Sequence, residues 1–349
     1  MSIPRFELTP DYTISRIVLG GWQFAQGHGQ RQPDRAVSEE VLRGAIRAGV
    51  TTFDCADIYT GVEDLIGGFL ASERPSQSVQ IHTKYVPDLD RLASLAERQT
   101  ARTIERSLRR LRVERLDLVQ FHWWDFDIPG YVEAACSLDR LRKHGKIAHI
   151  GVTNFDALHL SEILDAGVPV VSNQVQYSVL DRRPAGGMAK VCEKRGVSLL
   201  CYGTLAGGFL SSSYLGEAEP SAPMENRSLA KYRLILDEFG GWDRFQSLLR
   251  VLQPIAERHG TTLSALASRY VLDRPYVAGC ITGMRHPHRL QEIETVFDLE
   301  LDAADRAEID ACLAECPGPE GPIYGLERVK GGRHASIMRM DLNRTSPPS

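Results

Sequence analysis

The 349-residue chain has no excess of basic residues, since its 41 Lys and Arg are outnumbered by 45 Asp and Glu. The formal net charge is −4, whereas proteins that bind nucleic acids carry basic surfaces that neutralise phosphates. The chain also has no run of roughly 18 uncharged apolar residues, the length that a membrane-spanning helix needs. Its first residues lack the cationic start and apolar core of a signal peptide. We therefore expect no nucleic-acid partner, no membrane partner and a cytoplasmic location.

The seven cysteines form no C-x-x-C pair, which leaves the sequence without a redox dithiol motif or a zinc knuckle. Cys312 and Cys316 are spaced to share one face of a helix. No histidine or further cysteine stands near them in sequence to complete a ligand set. The sequence therefore predicts reduced thiols and no metal site.

What the sequence does contain is a regular alternation of short apolar, β-branched segments with longer segments of helical period. The predicted strands, in order, are 17–24, 51–57, 79–85, 116–123, 147–154, 170–177, 197–203 and 277–284. The predicted helices between them are 38–48, with Ser38 as the N-cap, 101–111, 131–143, 157–166, 184–195 and 262–272. Strict alternation of this kind gives parallel strands joined by right-handed crossovers.

Two architectures fit such a chain, an open doubly wound sheet and a closed eight-stranded barrel. The number of strands favours the barrel. The open sheet would carry G-x-G-x-x-G directly after its first strand, and the corner at Gly20, Gly21 and Trp22 does not supply that spacing. We therefore predict a single-domain α/β protein, a (β/α)8 TIM barrel over residues 1–316.

Two segments do not follow the repeat. Residues 209–242, rich in Ser, Gly, Glu and Pro, are predicted to form a long loop after the seventh strand, and loops of that length tend to be functional. Residues 317–349 form a C-terminal tail with little periodicity. The sequence leaves two interpretations of the tail open, because such a segment either covers the active-site mouth or is partly disordered.

Active sites of (β/α)8 barrels lie at the C-terminal ends of the strands, and nearly every predicted strand ends in polar or aromatic residues. Segments near these ends resemble, in the same order, the signatures of the aldo-keto reductases. They are FDCADIYTGVEDLIG, IHTKY, LDLVQFHW, KIAHIGVTNF, VVSNQVQYSVL and CYGTLAGGFL, and the likeness covers residues 14–315. The resemblance implies an NAD(P)H-dependent oxidoreductase that reduces an aldehyde or ketone to an alcohol, or catalyses the reverse, by hydride transfer.

Four residues at the predicted rim suit this chemistry. A carbonyl that receives hydride becomes an alkoxide and needs an acid beside its oxygen. The phenol of Tyr59 is the candidate acid, and the ammonium of Lys84 is expected to lower its pKa. Asp54 is expected to pair with Lys84, and a neutral His122 to donate a hydrogen bond to the carbonyl. The resemblance assigns the same four positions to the catalytic tetrad, although each residue alone also fits an ordinary structural role.

The later strands carry the predicted cofactor site. By the resemblance, Thr153, Asn154 and Gln174 hold the carboxamide of the nicotinamide, and Tyr202 stacks on its ring. The motif CYGTLAGGFL adds two further cofactor positions, Gly203 and Leu205.

The segment ITGMRHPHRLQEIETV resembles the adenosine and phosphate segment of the family and assigns Gly283, Arg285 and Arg289 to the cofactor site. Arg289 stands where the family usually has Gln, and Ile293 where it usually has Asn, so the adenine contacts are expected to differ. Both arginines would attract a 2′-phosphate. The sequence therefore favours NADPH, with NADH as the alternative.

Four aromatic residues are predicted to wall a substrate pocket, with burial in the core as the alternative for each. They are Trp22, Tyr85, Trp123 and Trp124. Such a wall suits a small apolar or aromatic carbonyl, or the matching alcohol. The sequence indicates neither the physiological substrate nor the oligomeric state.

Two other functions fit the same scaffold. The protein could be a nicotinamide-nucleotide-binding sensor or regulatory subunit with vestigial catalysis, although the complete tetrad argues against this. A barrel hydrolase or isomerase would need paired carboxylates or metal ligands at the rim. Of the acids assigned to the rim, only Asp54 and Asp57 are near one another, which disfavours that alternative.

Overall fold

Residues 3–26, 34–221, 224, 226–284 and 290–345 are described by a computed structural model. Two short antiparallel strands, β1 (Arg5–Thr9) and β2 (Tyr12–Ser15), precede eight parallel strands that close into a barrel. The barrel strands are β3 (Ile17–Gly20), β4 (Thr52–Asp54), β5 (Gln80–Tyr85), β6 (Leu116–Phe121), β7 (Ile147–Thr153), β8 (Val170–Gln176), β9 (Ser198–Tyr202) and β10 (Val277–Gly283). Strand β10 pairs with both β9 and β3 and so completes the cylinder. The predicted (β/α)8 TIM barrel is confirmed.

The hairpin of β1 and β2 closes the end of the barrel at which the strands begin. Arg5 donates a hydrogen bond to Thr51 Oγ1 (2.6 Å), beside the start of β4. Leu8 and Ile14 belong to an apolar cluster that includes Leu118 of β6. The cavity described below lies at the opposite end, where the strands finish.

Thirteen α-helices lie in the described ranges of the chain. They are α1 (Arg35–Arg47), α2 (Val62–Glu73), α3 (Glu97–Leu111), α4 (Tyr131–Lys143), α5 (Ala157–Asp165), α6 (Gly187–Arg195), α7 (Arg227–Glu238), α8 (Gly241–Arg258), α9 (Leu263–Leu272), α10 (Leu290–Glu294), α11 (Ala303–Ala314), α12 (Gly325–Arg328) and α13 (Arg333–Ser336). No described helix combines the length and the apolar character needed to cross a membrane.

All six predicted helices are present, but the predicted starts of α1, α3 and α6 are wrong, since α3 begins at Glu97 and α6 at Gly187. The carboxylate of Asp34 accepts hydrogen bonds from the main-chain nitrogens of Ala36 and Val37 and caps the helix. Ser38 lies inside the first turn, where its hydroxyl donates to the carbonyl of Asp34. The N-cap of α1 therefore lies four residues earlier than the sequence indicated.

The predicted strands are confirmed in number and order, but all of them except β5 end earlier than predicted. Strand β4 covers only Thr52–Asp54, and β6 ends at Phe121. After β4 the chain turns, and the main-chain nitrogen of Tyr59 donates to the carbonyl of Ala56 at 3.0 Å.

The two segments outside the repeat are both partly helical. The predicted loop 209–242 contains α7, whose first turn is capped by the side chain of Asn226. The tail carries α12 and α13 and lies against the ends of the strands. Arg328 donates to the main-chain oxygens of Trp123 (2.9 Å), Trp124 (3.1 Å) and Asn154 (3.0 Å).

Candidate active site

A cavity of about 980 Å³ opens at the ends of the barrel strands. It is lined by most of the site residues that the sequence predicts. These are Trp22, Asp54, Tyr59, Lys84, His122, Trp124, Thr153, Asn154, Gln174, Tyr202, Gly203, Leu205 and Gly283. The barrel thus brings together residues that lie as far apart in sequence as Trp22 and Gly283.

A buried ion pair lies at the base of the cavity. Lys84 Nζ is 2.5 Å from Asp54 Oδ2 and also donates to the carbonyl of Cys55 at 3.0 Å. The other carboxylate oxygen, Oδ1, accepts from the amides of Gln120 (2.8 Å) and Gln174 (2.7 Å). Although burial lowers the pKa of Lys84, the adjacent carboxylate raises it on balance. Lys84 is therefore held as a cation in one position.

Tyr59 lies directly beside this ion pair. The ammonium of Lys84 is 4.9 Å from the centre of the Tyr59 ring. Burial raises the pKa of Tyr59, and Lys84 lowers it through its charge and a hydrogen bond, but only in part. Lys84 therefore lowers the pKa of Tyr59 as expected, but burial outweighs this effect. The phenol keeps its proton.

His122 is fixed in one tautomer by the end of β7. Its Nδ1 lies 3.1 Å from the carbonyl oxygen of Thr153, and because a carbonyl oxygen only accepts, Nδ1 must carry the proton. Burial and the nearby Arg328 lower the pKa of His122 to about 3, so Nε2 carries a lone pair at neutral pH. The predicted donation from a neutral His122 to a carbonyl is therefore wrong, because its single N–H is already used.

Two buried neutral histidines make stability dependent on pH. Burial lowers the pKa of His122 to about 3 and that of His82 to about 4, against about 6.5 in an unfolded chain. Between roughly pH 6.5 and pH 4 the unfolded chain binds more protons, so the free energy of unfolding decreases as the pH falls. We expect a loss of about 1.4 kcal/mol per pH unit for each histidine, measured by urea denaturation across this range.

The variant His122→Gln should remove one histidine's share of this slope. The matched control is His144→Gln, because His144 is exposed at the end of α4 and should leave the slope unchanged. If His122→Gln kept the full slope, His122 would have to be protonated in the folded protein, and the tautomer assignment would be incorrect.

The residues predicted to hold a nicotinamide present complementary hydrogen-bonding groups. Asn154 has a left-handed backbone (φ 61°), and its Oδ1 accepts from the hydroxyl of Tyr202 at 2.8 Å. This leaves Asn154 Nδ2 as a donor without a partner in the described chain. The amide nitrogen of Gln174 donates to Asp54 and Gln120, which leaves Gln174 Oε1 as an acceptor. One free donor and one free acceptor match the two ends of a primary carboxamide.

Comparison with known proteins identifies the family. The model described as "Aldo/keto reductase family" matches residues 16–314. The chain belongs to the aldo/keto reductase family. The match includes all eight barrel strands and every predicted tetrad residue.

Several relatives of this aldo/keto reductase are named as oxidoreductases. The NADH-specific methylglyoxal reductase of Escherichia coli (strain K12) is 25% identical over 322 residues, which cover 85% of this chain and 94% of that protein. The aldo-keto reductase YhdN of Bacillus subtilis (strain 168) is 27% identical over 317 residues, covering 89% and 93%. The structure of the glycerol dehydrogenase AKR11B4 from Gluconobacter oxydans is similar, with a TM-score of 0.76 and 25% identity, and covers 92% of this chain and 99% of its own. These findings support an oxidoreductase.

Two residues predicted to wall the pocket of this aldo/keto reductase lie elsewhere. Tyr85 points away from the barrel interior, and its hydroxyl is 3.0 Å from Thr100 Oγ1 of α3. Trp123 is fully buried and donates from Nε1 to the carbonyl of Ile128. Side chains alternate between the two faces of β5, so Tyr85 points outward because its neighbour Lys84 points inward. The prediction that these two residues wall the pocket is therefore wrong, whereas Trp22 and Trp124 do line it.

The predicted phosphate-binding residues Arg285 and Arg289 lie outside the described residues. Gly283, at the end of β10, and Ile293, in α10, both line the cavity.

Several residues of this aldo/keto reductase site escaped prediction. Gln120 could have been found, because alternation along β6 places it on the inward face with His122. Lys231 of α7 and Tyr324 and Glu327 of the tail were missed, because they lie in the two segments that the sequence analysis set outside the repeat. Lys231 Nζ is 3.3 Å from the Tyr202 hydroxyl and 3.3 Å from Glu327 Oε1.

Proposed function

We propose that the protein is an NAD(P)H-dependent oxidoreductase that reduces an aldehyde or ketone to an alcohol, or catalyses the reverse, with Tyr59 as general acid or base. The observation that carries the proposal is the buried pair of Asp54 and Lys84 beside the Tyr59 ring, in a cavity at the strand ends. Relatives named as a reductase and as a dehydrogenase support the same reaction class in its two directions.

Tyr59 supplies the proton in this proposal. As negative charge develops on the carbonyl oxygen, the hydroxyl gives its proton to that oxygen. The raised pKa of Tyr59 keeps the proton on the phenol before the reaction. The phenolate left behind is stabilised by the ammonium of Lys84, which Asp54 holds in place. In alcohol oxidation, the same phenolate takes the proton of the alcohol.

His122 orients the reacting oxygen by accepting a hydrogen bond from it. While Tyr59 is the neutral phenol, the lone pair on Nε2 can accept a hydrogen bond from the hydroxyl of a bound alcohol, and the carbonyl of Thr153 fixes the ring in that orientation. When Tyr59 is the phenolate, that proton goes to Tyr59 instead. The T-shaped contact with Trp124, at 4.3 Å between ring centres, restricts the ring from a second side. His122 therefore favours the alcohol over the carbonyl form of the ligand.

The nicotinamide supplies the hydride when it is bound. Asn154 Nδ2 and Gln174 Oε1 are suited to its carboxamide. The hydroxyl of Thr153 donates to the main-chain carbonyl oxygen of Gln174 at 3.1 Å and so links the two strand ends. The ring of Tyr202 offers a flat surface for stacking. The hydroxyl of Tyr202 donates a hydrogen bond to Asn154. The Tyr202 ring and the Asn154 amide therefore form one rigid surface.

The cofactor preference depends on the arginines after β10. We propose NADPH as the preferred cofactor, with NADH also accepted, because Arg285 and Arg289 are suited to a 2′-phosphate. One relative is named as NADH-specific, so the preference of this protein has to be measured. In Arg285→Ala, we expect kcat/KM for NADPH to fall about 10- to 100-fold, the value of a hydrogen bond to a charged group, and kcat/KM for NADH to change little.

The control for this measurement is Arg109→Ala, because Arg109 is exposed on α3 and far from β10 in the barrel order. It should alter neither value. An equal loss of kcat/KM with NADPH and with NADH in Arg285→Ala would show that Arg285 does not bind the 2′-phosphate.

The segment after Cys316 is proposed to form part of the same functional unit. The contacts of Arg328 with the ends of β6 and β7 support a tail that covers the mouth of the barrel. Tyr324 and Met338 line the cavity from this side.

The experiment that tests the function is a panel of carbonyls and alcohols followed at the nicotinamide absorbance band. Each compound is measured with NADPH and with NADH. We expect turnover of at least one aldehyde or ketone. Stoichiometric cofactor binding without turnover over the whole panel would contradict the proposal and favour a nucleotide sensor.

A further inference from the structure

The wall of the cavity carries an imbalance of charge. Asp54 is the only acid among its described residues. The bases that line it are Lys84, Lys231, Arg227 and Arg339. Asp54 neutralises Lys84, and Glu327 lies 3.3 Å from Lys231. Arg227 and Arg339 have no acid partner within the described part of the chain, so two positive charges remain at the mouth.

The two arginines come from different segments that the fold brings together. Arg227 is the first residue of α7, and Arg339 follows α13 in the tail. The pair of Arg333 with Asp237, at 2.7 Å, fixes the tail against α7. Burial lowers the pKa of Arg227, and the charge of Arg339 lowers it further, which agrees with two guanidinium groups held near each other.

Arg227 is next to the Tyr59 side of the cavity. Its neighbour Ser228 accepts a hydrogen bond from the indole nitrogen of Trp22 at 3.1 Å. The Trp22 ring in turn lies 4.8 Å from the ring of Tyr59. A substrate whose carbonyl lies at Tyr59 can therefore extend past Trp22 toward Arg227.

Arg339 is next to the His122 side of the cavity. Its neighbour Met338 accepts a hydrogen bond from the hydroxyl of Tyr324 through Sδ, at 3.5 Å. The ring of Tyr324 is 5.6 Å from that of His122. The two arginines therefore flank the mouth above the two residues that face the reacting oxygen.

We propose that Arg227 and Arg339 form an anion subsite that binds a carboxylate or phosphate group of the carbonyl substrate. The inference rests on the proposed function and narrows its substrate class. Guanidinium groups bind these anions through paired, charge-assisted hydrogen bonds. The substrate is then a carbonyl compound with an anionic end, rather than the purely apolar or aromatic carbonyl that the sequence suggested.

The test compares 4-carboxybenzaldehyde with its uncharged methyl ester, methyl 4-formylbenzoate, and glyceraldehyde 3-phosphate with glyceraldehyde. In the unaltered enzyme, we expect kcat/KM to favour the charged member of at least one pair. In the double variant R227Q/R339Q, this preference should fall about tenfold, as expected for the loss of charge-assisted contacts at a partly exposed site. The values for the uncharged members should stay within about twofold of those of the unaltered enzyme by the same reasoning.

The matched control is Arg250→Gln, which removes one positive charge from an exposed position on α8 that does not line the cavity. It should leave the preference unchanged. A preference that survives in R227Q/R339Q, or falls equally in Arg250→Gln, overturns the subsite. Turnover of the uncharged compounds with no charge preference rejects the subsite alone, whereas no turnover of any compound counts against the proposed function.

A direct binding measurement tests the subsite even without turnover. It also shows whether the arginines bind an anionic group of the substrate or a phosphate of the cofactor. Calorimetry should show that 4-(hydroxymethyl)benzoate binds the unaltered protein about tenfold more tightly than R227Q/R339Q, the factor expected for these contacts. Equal affinity in the two proteins overturns the subsite. If the double variant instead loses affinity for NADPH and NADH while its substrate preference is intact, the arginines bind a cofactor phosphate and the proposal is wrong.

Discussion

Replacing Tyr59 with phenylalanine is expected to lower kcat by about 10²- to 10⁴-fold, the range that general acid catalysis contributes. The phenol acts only on the reacting oxygen, so the dissociation constant of the cofactor should be nearly unchanged. The measurements are single-turnover reduction of an aldehyde that the panel identifies and a fluorescence titration with NADPH.

Tyr85→Phe is the matched control for this prediction. It removes a phenolic hydroxyl from another tyrosine, whose hydrogen-bond partner Thr100 lies in α3, outside the barrel. We expect normal kcat and a loss of about 1 kcal/mol in the free energy of unfolding, a typical value for one hydrogen bond. Normal turnover in Tyr59→Phe would remove Tyr59 from the mechanism.

Lys84→Met is expected to damage both activity and stability. It leaves Asp54, whose side chain is 4% exposed, as a buried charge without its partner. Removal of one member of a buried ion pair costs about 3–5 kcal/mol of stability. Turnover should also fall, because no cation remains to stabilise the phenolate of Tyr59. Urea denaturation and single-turnover kinetics measure the two effects.

The double variant Lys84→Met/Asp54→Asn separates these two effects. An asparagine oxygen can still accept from the amides of Gln120 and Gln174, and the uncompensated charge is gone. Most of the stability should therefore return while turnover stays low. Recovery of turnover together with stability would mean that Lys84 matters only for folding.

The barrel was predictable because its strands are buried on both faces and read as short apolar segments. Helix α7, which escaped prediction, follows a segment rich in Ser, Gly and Pro and packs against α8 and against α13 of the tail. Helix α7 buries Ile235 and Leu236 in this way. Such stabilisation depends on contacts distant in sequence, which local periodicity does not report.

The site was predictable where a side chain lies within a regular strand or directly at its end. Lys84 and Tyr85 differ in direction because they are neighbours in β5, and strict alternation would have placed Tyr85 outside. The tautomer of His122 could not be predicted, because it depends on the carbonyl of Thr153, on another strand. The polar side chains that the tail contributes to the site could not be predicted from the sequence either.

The way in which the tail is attached has a consequence for protein engineering. Arg328 donates to three carbonyl groups of the backbone, at Trp123, Trp124 and Asn154, and backbone carbonyls are present whatever side chain a residue carries. Libraries that randomise Trp124 should therefore keep this attachment while reshaping the pocket. Selectivity could then be evolved at the rim of the enzyme without rebuilding the cover above it.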